Sequence, residues 1–128
     1  MIVAGIGCRR GAPAPDIEAA IRAALERAGL ASDALDCIAT IPLKDGEAGL
    51  EAVAAKFGLA VVVVPDAALQ AAGQRTVTRS ERVVALAGVP SAAEAAALAV
   101  AGPSARLIGP RLVFGAATCA LARSGDAP

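Results

Sequence analysis

The chain has 128 residues, 56 % hydrophobic but only 2 % aromatic, and its 12 basic and 12 acidic side chains cancel to zero formal charge. That length suits one domain whose core is built from small and branched side chains. With no Trp, no Tyr and only two Phe, it has neither the basic patch nor the stacking platforms of a nucleic-acid binder, which excludes that class of partner.

In chain order, the apolar run Ile2 to Ile6 reads as a strand that ends in Gly5-Ile6-Gly7-Cys8-Arg9-Arg10-Gly11. Glycines there would let backbone N–H groups approach a ligand, Arg9 and Arg10 add positive charge, and a following helix contributes its positive dipole end. The spacing fits neither the dinucleotide fingerprint, which needs its third glycine one residue earlier, nor the phosphate loop, which needs Lys-Ser/Thr after the last glycine. The competing plain reading is a tight strand-to-helix turn with solvated arginines. Cys8, beside two arginines, would have a stabilised thiolate, or be a small buried hydrophobe.

A helix with Ile17, Ala20, Ile21, Ala24, Leu25 and Ala28 on its buried face is predicted over residues 16–30, with Pro15 in its first turn and Gly29 at its end. A short strand over 36–41, a helix over 46–57 and a continuous β-branched strand over 59–64 follow, the last expected to be buried on both faces. This β-α-β-α-β order implies parallel strands. Thr40 and Lys44, at the carboxyl end of the second strand, would then share an edge with the glycine loop; the plain alternative is a turn with a solvated lysine and a backbone-bonded threonine.

After a weak helix at 66–72 and a polar loop at 73–80, Thr78-x-x-Glu81 and Ser91-x-x-Glu94 both fit the capping box and predict helices near 79–87 and 92–101. Glu94 is also a candidate proton-transfer group. A break at Gly109-Pro110 between the apolar runs 106–108 and 111–122 predicts an antiparallel hairpin. The fold class is therefore α/β: a single three-layer α/β/α domain over 1–122 with a mixed, mostly parallel sheet of about five strands, and a flexible tail at 123–128.

Histidine is absent, and Cys8, Cys37 and Cys119 are odd in number and widely spaced. Cys/His and Ser-His-Asp machinery is thereby excluded, and neither a disulfide framework nor a metal centre made by this chain is expected. The first apolar run precedes the arginines rather than following them, and no apolar stretch is long enough to span a bilayer, so the expected setting is the cytoplasm.

Gly5-Ile6-Gly7-Cys8-Arg9-Arg10-Gly11, then Ala39-Thr40-Ile41 to Leu43-Lys44 with Glu47-x-Gly49-Leu50, and finally Gly88-Val89-Pro90 to Glu94-Ala95-Ala96-Ala97-Leu98 occur in this order over nearly the whole chain. Together they resemble the CobE/CbiG C-terminal family of cobalamin (vitamin B12) biosynthesis. The resemblance implies a cytoplasmic protein acting on tetrapyrrole intermediates rimmed with acetate and propionate carboxylates, with no cofactor of its own. It implies that Arg9, Arg10 and Lys44, with the backbone donors of Gly5, Gly7 and Gly11, clamp those carboxylates while apolar walls cover the macrocycle; Cys8 and Thr40 join the candidate ligand-binding residues from the loop and strand-end readings above.

Two activities follow from the resemblance. One is binding or handover of a corrin or precorrin intermediate; the other is opening of the lactone ring of a (cobalt-)precorrin-5A, with Glu94 or Lys44 moving the proton. Longer CbiG relatives that open the lactone carry N-terminal regions not present in this sequence, and Ala12-Pro13 stands where relatives carry Ser or Thr, which favours the first. A third reading is docking onto another pathway enzyme, or homodimerisation, through helix 92–101.

Overall fold

The computed structural model describes residues 1–42, 46–81, 83–84 and 91–125. Its centre is β1 (Ile2–Cys8), whose alternate side chains enter two separate cores: Ile2, Ala4 and Ile6 on one face, Val3 on the other. Burial on both faces explains why the strand reads as an unbroken apolar run.

On the first face lie α1 (Ala14–Ala28) and α2 (Ala48–Phe57). Helix α1 buries Ile17, Ala20, Ile21, Ala24 and Leu25, as its periodicity predicts, and starts two residues earlier than the spacing suggests. Pro13 stands at its N-cap and makes no side-chain hydrogen bond there. Arg22 lies 5.0 Å from the Phe57 ring centroid, and Glu18 pairs with both Arg22 and Lys56, tying the outer surfaces of α1 and α2 together.

On the second face lie α3 (Asp66–Gly73) and α4 (Ala92–Ala101). Ala92, Ala95, Ala96, Ala97 and Leu98 of α4 pack with Val3, Ala39 and Ala122 of the sheet. A Cβ on Gly5 would stand 1.9 Å from the Ala93 carbonyl oxygen and 2.9 Å from the Ala97 Cβ, so α4 rests directly on the β1 backbone. The alanine-rich helix and the missing side chain together allow this close approach, which packs α4 without a layer of large side chains.

The sheet has six strands in the order β3-β2-β1-β6-β4, with β5 also on β6. β2 (Cys37–Thr40) and β3 (Val61–Val63) run parallel to β1. β6 (Ala117–Arg123) runs antiparallel to β1, and both β4 (Arg106–Leu107) and β5 (Leu112–Phe114) run antiparallel to β6. The open mixed α/β sheet is present as expected, with a larger antiparallel share because β6 takes three antiparallel partners.

Three local expectations are corrected. The run 59–64 forms only a three-residue strand, and it is not buried on both faces: Val62 is 38 % exposed. Its place at the sheet edge, with β2 as its single neighbour, leaves it half covered. Gly109-Pro110 is not the hairpin turn; it interrupts one edge line, since β4 and β5 pair successively with the same strand. The reversal falls at Gly115, φ 55°, between Phe114 and Ala117. Finally, Thr78 does not cap the next helical turn, where Glu81, Val83 and Val84 are helical. The Ser80 hydroxyl accepts from the Val83 N–H instead, and Glu81 pairs with Arg79 at 2.7 Å.

At the far end, β6 extends to Arg123, and the Ser124 N–H donates to the Met1 carbonyl at 2.9 Å. The start of the segment expected to fray is thus part of the sheet's hydrogen bonding, while residues 126–128 lie outside the described ones.

Candidate functional site

The carboxyl ends of the parallel strands, the N-terminus of α4 and the β5–β6 turn all meet at one edge of the sheet. Gly7 pairs with Thr118 and Cys8 with Ala117. A Cβ on Gly7 would lie 4.0 Å from the Ala93 nitrogen, which places the start of α4 beside it. Ligands bind open α/β sheets at this kind of edge.

The predicted site residues separate there into two groups. Gly5 and Thr40 are structural. Gly5 is covered by α4, and Thr40, wholly buried, donates its hydroxyl to the Ile6 carbonyl at 3.0 Å, binding β2 to β1. Neither is open to a ligand, so both leave the site. Gly7 and Cys8 are half-buried at its floor, and Arg9, Arg10 and Gly11 are exposed at its rim. Lys44 and the Gly88-Val89-Pro90 motif lie outside the described residues.

The loop is not the row of free backbone donors that its glycines suggest. The Arg9 N–H donates to the Ala116 carbonyl at 2.9 Å and the Ala12 N–H to the Arg9 carbonyl at 3.0 Å. The Gly11 N–H donates to Oε1 of Glu47, the residue that precedes α2, at 2.9 Å. Positive charge here therefore comes from the side chains. Among the described residues no carboxylate stands within ion-pair distance of Arg9 or Arg10.

Glu94 is the residue whose role the sequence reading set differently. Ser91 does cap α4, accepting the Glu94 N–H at 3.4 Å, but the Glu94 carboxylate does not return to close the box. It is wholly buried and accepts from four donors: Val77 N–H at 2.8 Å, Thr78 N–H at 2.9 Å, Thr78 Oγ1 at 3.0 Å and Arg111 N–H at 2.9 Å. A carboxylate so enclosed joins three segments at the positive end of α4. It has no path to a solvent-borne ligand, so proton transfer at Glu94 finds no support in this geometry.

That junction displays residues the sequence reading missed. Val77 and Val113 are 65 % and 61 % exposed, unusual for valine. Val113 shares the α4 face with its register partner Thr118, opposite Gly7, and follows Arg111, whose backbone Glu94 holds. Val77 is held by the same carboxylate. Both exposed valines therefore belong to segments whose backbone the Glu94 carboxylate holds. Nothing in the sequence hinted at either: Val113 sits in the unbroken apolar run Leu112-Val113-Phe114, and Val77 in a polar loop.

The thiols differ sharply. Burial pushes the Cys119 thiol up to about 12 and also raises Cys37, where the neighbouring Asp36 charge adds to the effect. Cys8 is half-exposed at the site floor. Among the described residues no group of three His, Cys, Asp or Glu side chains could hold a metal ion, and no helix is long and apolar enough to cross a membrane. A groove between the C-terminal ends of α3 and α4, lined chiefly by Ala68, Ala71 and Ala99, lies at the opposite edge, where Arg75 bonds the Pro103 and Ala105 carbonyls.

These features define a class: an open three-layer α/β domain with a basic, partly apolar edge site. The family model described as "Cobalamin synthesis G C-terminus" matches residues 2–122, and the chain belongs to that family. "Protein CobE" from Sinorhizobium sp is 36 % identical over 121 residues, covering 94 % of this chain and 79 % of that protein. Among solved structures, CobE of the cobalamin biosynthetic pathway superposes with a TM-score of 0.90 at 35 % identity, covering 96 % of this chain and 89 % of the other. The cobalamin biosynthesis protein chiG from Agrobacterium tumefaciens gives 0.79 at 42 % identity, with 98 % and 100 % covered. A cobalamin biosynthesis protein G homolog from Sulfolobus solfataricus shares the fold alone, at a TM-score of 0.68 and 21 % identity over 97 % of this chain and 37 % of that one. The chain is a cobalamin-biosynthesis protein of the CobE/CbiG type.

Proposed function

We propose that this protein binds a carboxylate-bearing corrin or precorrin intermediate at the β1–α4 edge, in the cytoplasm, and holds it for handover to a following enzyme. The observation that carries the reading is the pair of exposed guanidiniums at Arg9 and Arg10, on the edge where exposed Val113 stands in register with Thr118 opposite Gly7, with Val77 also exposed on the segment that Glu94 holds. A macrocycle with an apolar face and a carboxylate rim needs both. The arginines would take rim carboxylates by charge-assisted hydrogen bonds, and the valines would cover part of the ring. Lys44 is a further candidate clamp. The corrinoid is ligand, and the protein supplies no cofactor.

Lactone opening is the competing reading. It requires an accessible proton-transfer group, and of its two candidates Glu94 is sealed from solvent while Lys44 lies outside the described residues.

Titration with hydrogenobyrinic acid and early precorrins, followed by visible spectrum and by co-elution on a sizing column, tests the proposal. Stoichiometric retention with an unchanged spectrum is expected, and replacing both Arg9 and Arg10 by alanine should weaken it by about tenfold or more. A time-dependent spectral change would make the protein an enzyme, and no retention of any pigment would remove the ligand reading.

A further inference from the structure

We infer that Glu47 is a resident stand-in for a ligand carboxylate, occupying the Gly11 N–H until a ligand's own carboxylate displaces it. The inference rests on the ligand reading above and names the class of group that this subsite selects. Gly11 is exposed and has φ 72°, in the left-handed region. Its acceptor comes from another element: Glu47 Oε1, at 2.9 Å.

The bond is not what holds α2 against the loop. A Cβ on Gly49 would stand 2.4 Å from the Ala12 carbonyl oxygen and 3.2 Å from the Ala14 nitrogen, so backbone packs on backbone there without help from Glu47. Nor does the carboxylate cap its own helix, since no side-chain cap bond is made at Glu47. Among the described residues its carboxylate bonds one exposed donor, which follows two arginines that have no ion-pair partner there. A carboxylate from another element therefore sits on the backbone N–H that directly follows Arg9 and Arg10 in the chain.

A bound carboxylate would meet repulsion from Glu47 while competing for the same N–H. Glu47 thus sets the affinity threshold of the loop and favours ligands carrying several carboxylates over those carrying one.

The test is titration of wild type, Glu47→Ala and Glu47→Gln with hydrogenobyrinic acid, in parallel with citrate followed at the Gly11 amide in ¹⁵N–¹H spectra. Glu47→Ala should bind the pigment up to about fivefold tighter, the ceiling for an interaction between exposed charges. Glu47→Gln, which keeps an acceptor but no charge, should fall between. With citrate, the Gly11 resonance should shift in wild type and at lower citrate concentration in Glu47→Ala. Weaker binding by both variants, with native-like spectra, would show that Glu47 organises the loop and overturn the inference. If wild type retains no pigment the functional reading fails by itself. The citrate series still decides: a Gly11 amide that stays still in every variant sinks the stand-in.

Discussion

A carboxylate with no cation beside it can be held in a protein interior when enough N–H and O–H donors converge on it, and Glu94 has four. Removing its charge leaves donors facing donors. Glu94→Gln retains one acceptor oxygen and turns an NH₂ toward the Arg111 N–H or the Thr78 hydroxyl, so we expect a loss of about 2–4 kcal/mol of unfolding free energy. Urea unfolding measures it, and a loss under about 0.5 kcal/mol, the size of an ordinary surface substitution, would refute the junction role. The Ser91-x-x-Glu94 spacing located the helix start correctly because a capping serine is a local device. It misassigned the carboxylate because the competing donors at Val77, Thr78 and Arg111 are distant in sequence. For Thr40 the position at a strand end and the backbone bond of its hydroxyl were legible as the plain alternative, but not that the acceptor is the Ile6 carbonyl of the neighbouring strand.

Between elements, the decisive contact is α4 on β1. Gly5 was read as part of a ligand loop because a glycine there satisfies either purpose, close approach of a ligand or close approach of a helix. The helix occupies the space. Gly5→Ala drives a methyl group into the Ala93 carbonyl, and since backbone rather than a flexible side chain blocks it, α4 must lift from the sheet. We expect a cost of about 3 kcal/mol or more, or failure to fold, seen as a lower thermal midpoint. Gly7→Ala, whose nearest neighbours stand at 3.9 Å and 4.0 Å, is the control and should cost far less. The β-strand boundaries show a related ambiguity. Gly109-Pro110 and Gly115 carry equally good turn chemistry, and only pairing to β6 decides that the first interrupts an edge and the second reverses the chain.

For the molecule as a whole, the pH dependence of stability follows from what the two cores enclose. The buried Cys119 thiol titrates at about 12, against 9.0 for an unburied thiol. A raised value means the folded state keeps a proton that the unfolded chain has released. The associated stability is therefore fully present below about pH 9 and is lost as pH rises toward 12. Between pH 9 and pH 10 it should fall by about 1 kcal/mol, and Cys119→Ala should flatten that part of the alkaline limb. Urea midpoints at both pH values would show it; equal slopes in the two proteins would contradict the burial. On the acid side, Glu18, held below its usual range by Lys56 and then Arg22, contributes stability present above the unfolded value and lost as pH falls through the folded one.

The sequence by itself determined the α/β class, the helix faces, the single layered domain and the cobalamin-biosynthesis family, because periodicity and ordered motifs are properties of neighbours along the chain. It also placed Arg9, Arg10, Gly7 and Cys8 at the right edge, since a strand-to-helix junction in a parallel unit has only one edge to occupy. The tertiary structure alone decided which glycine lies under a helix and which is exposed, and which carboxylate is a buried junction and which bonds an exposed backbone N–H. It also decided that Val77 and Val113, far apart in the chain, are both exposed on segments held by one carboxylate. Each of these depends on which donor, backbone or side chain from a distant segment reaches the residue first, and spacing along the chain carries no record of that.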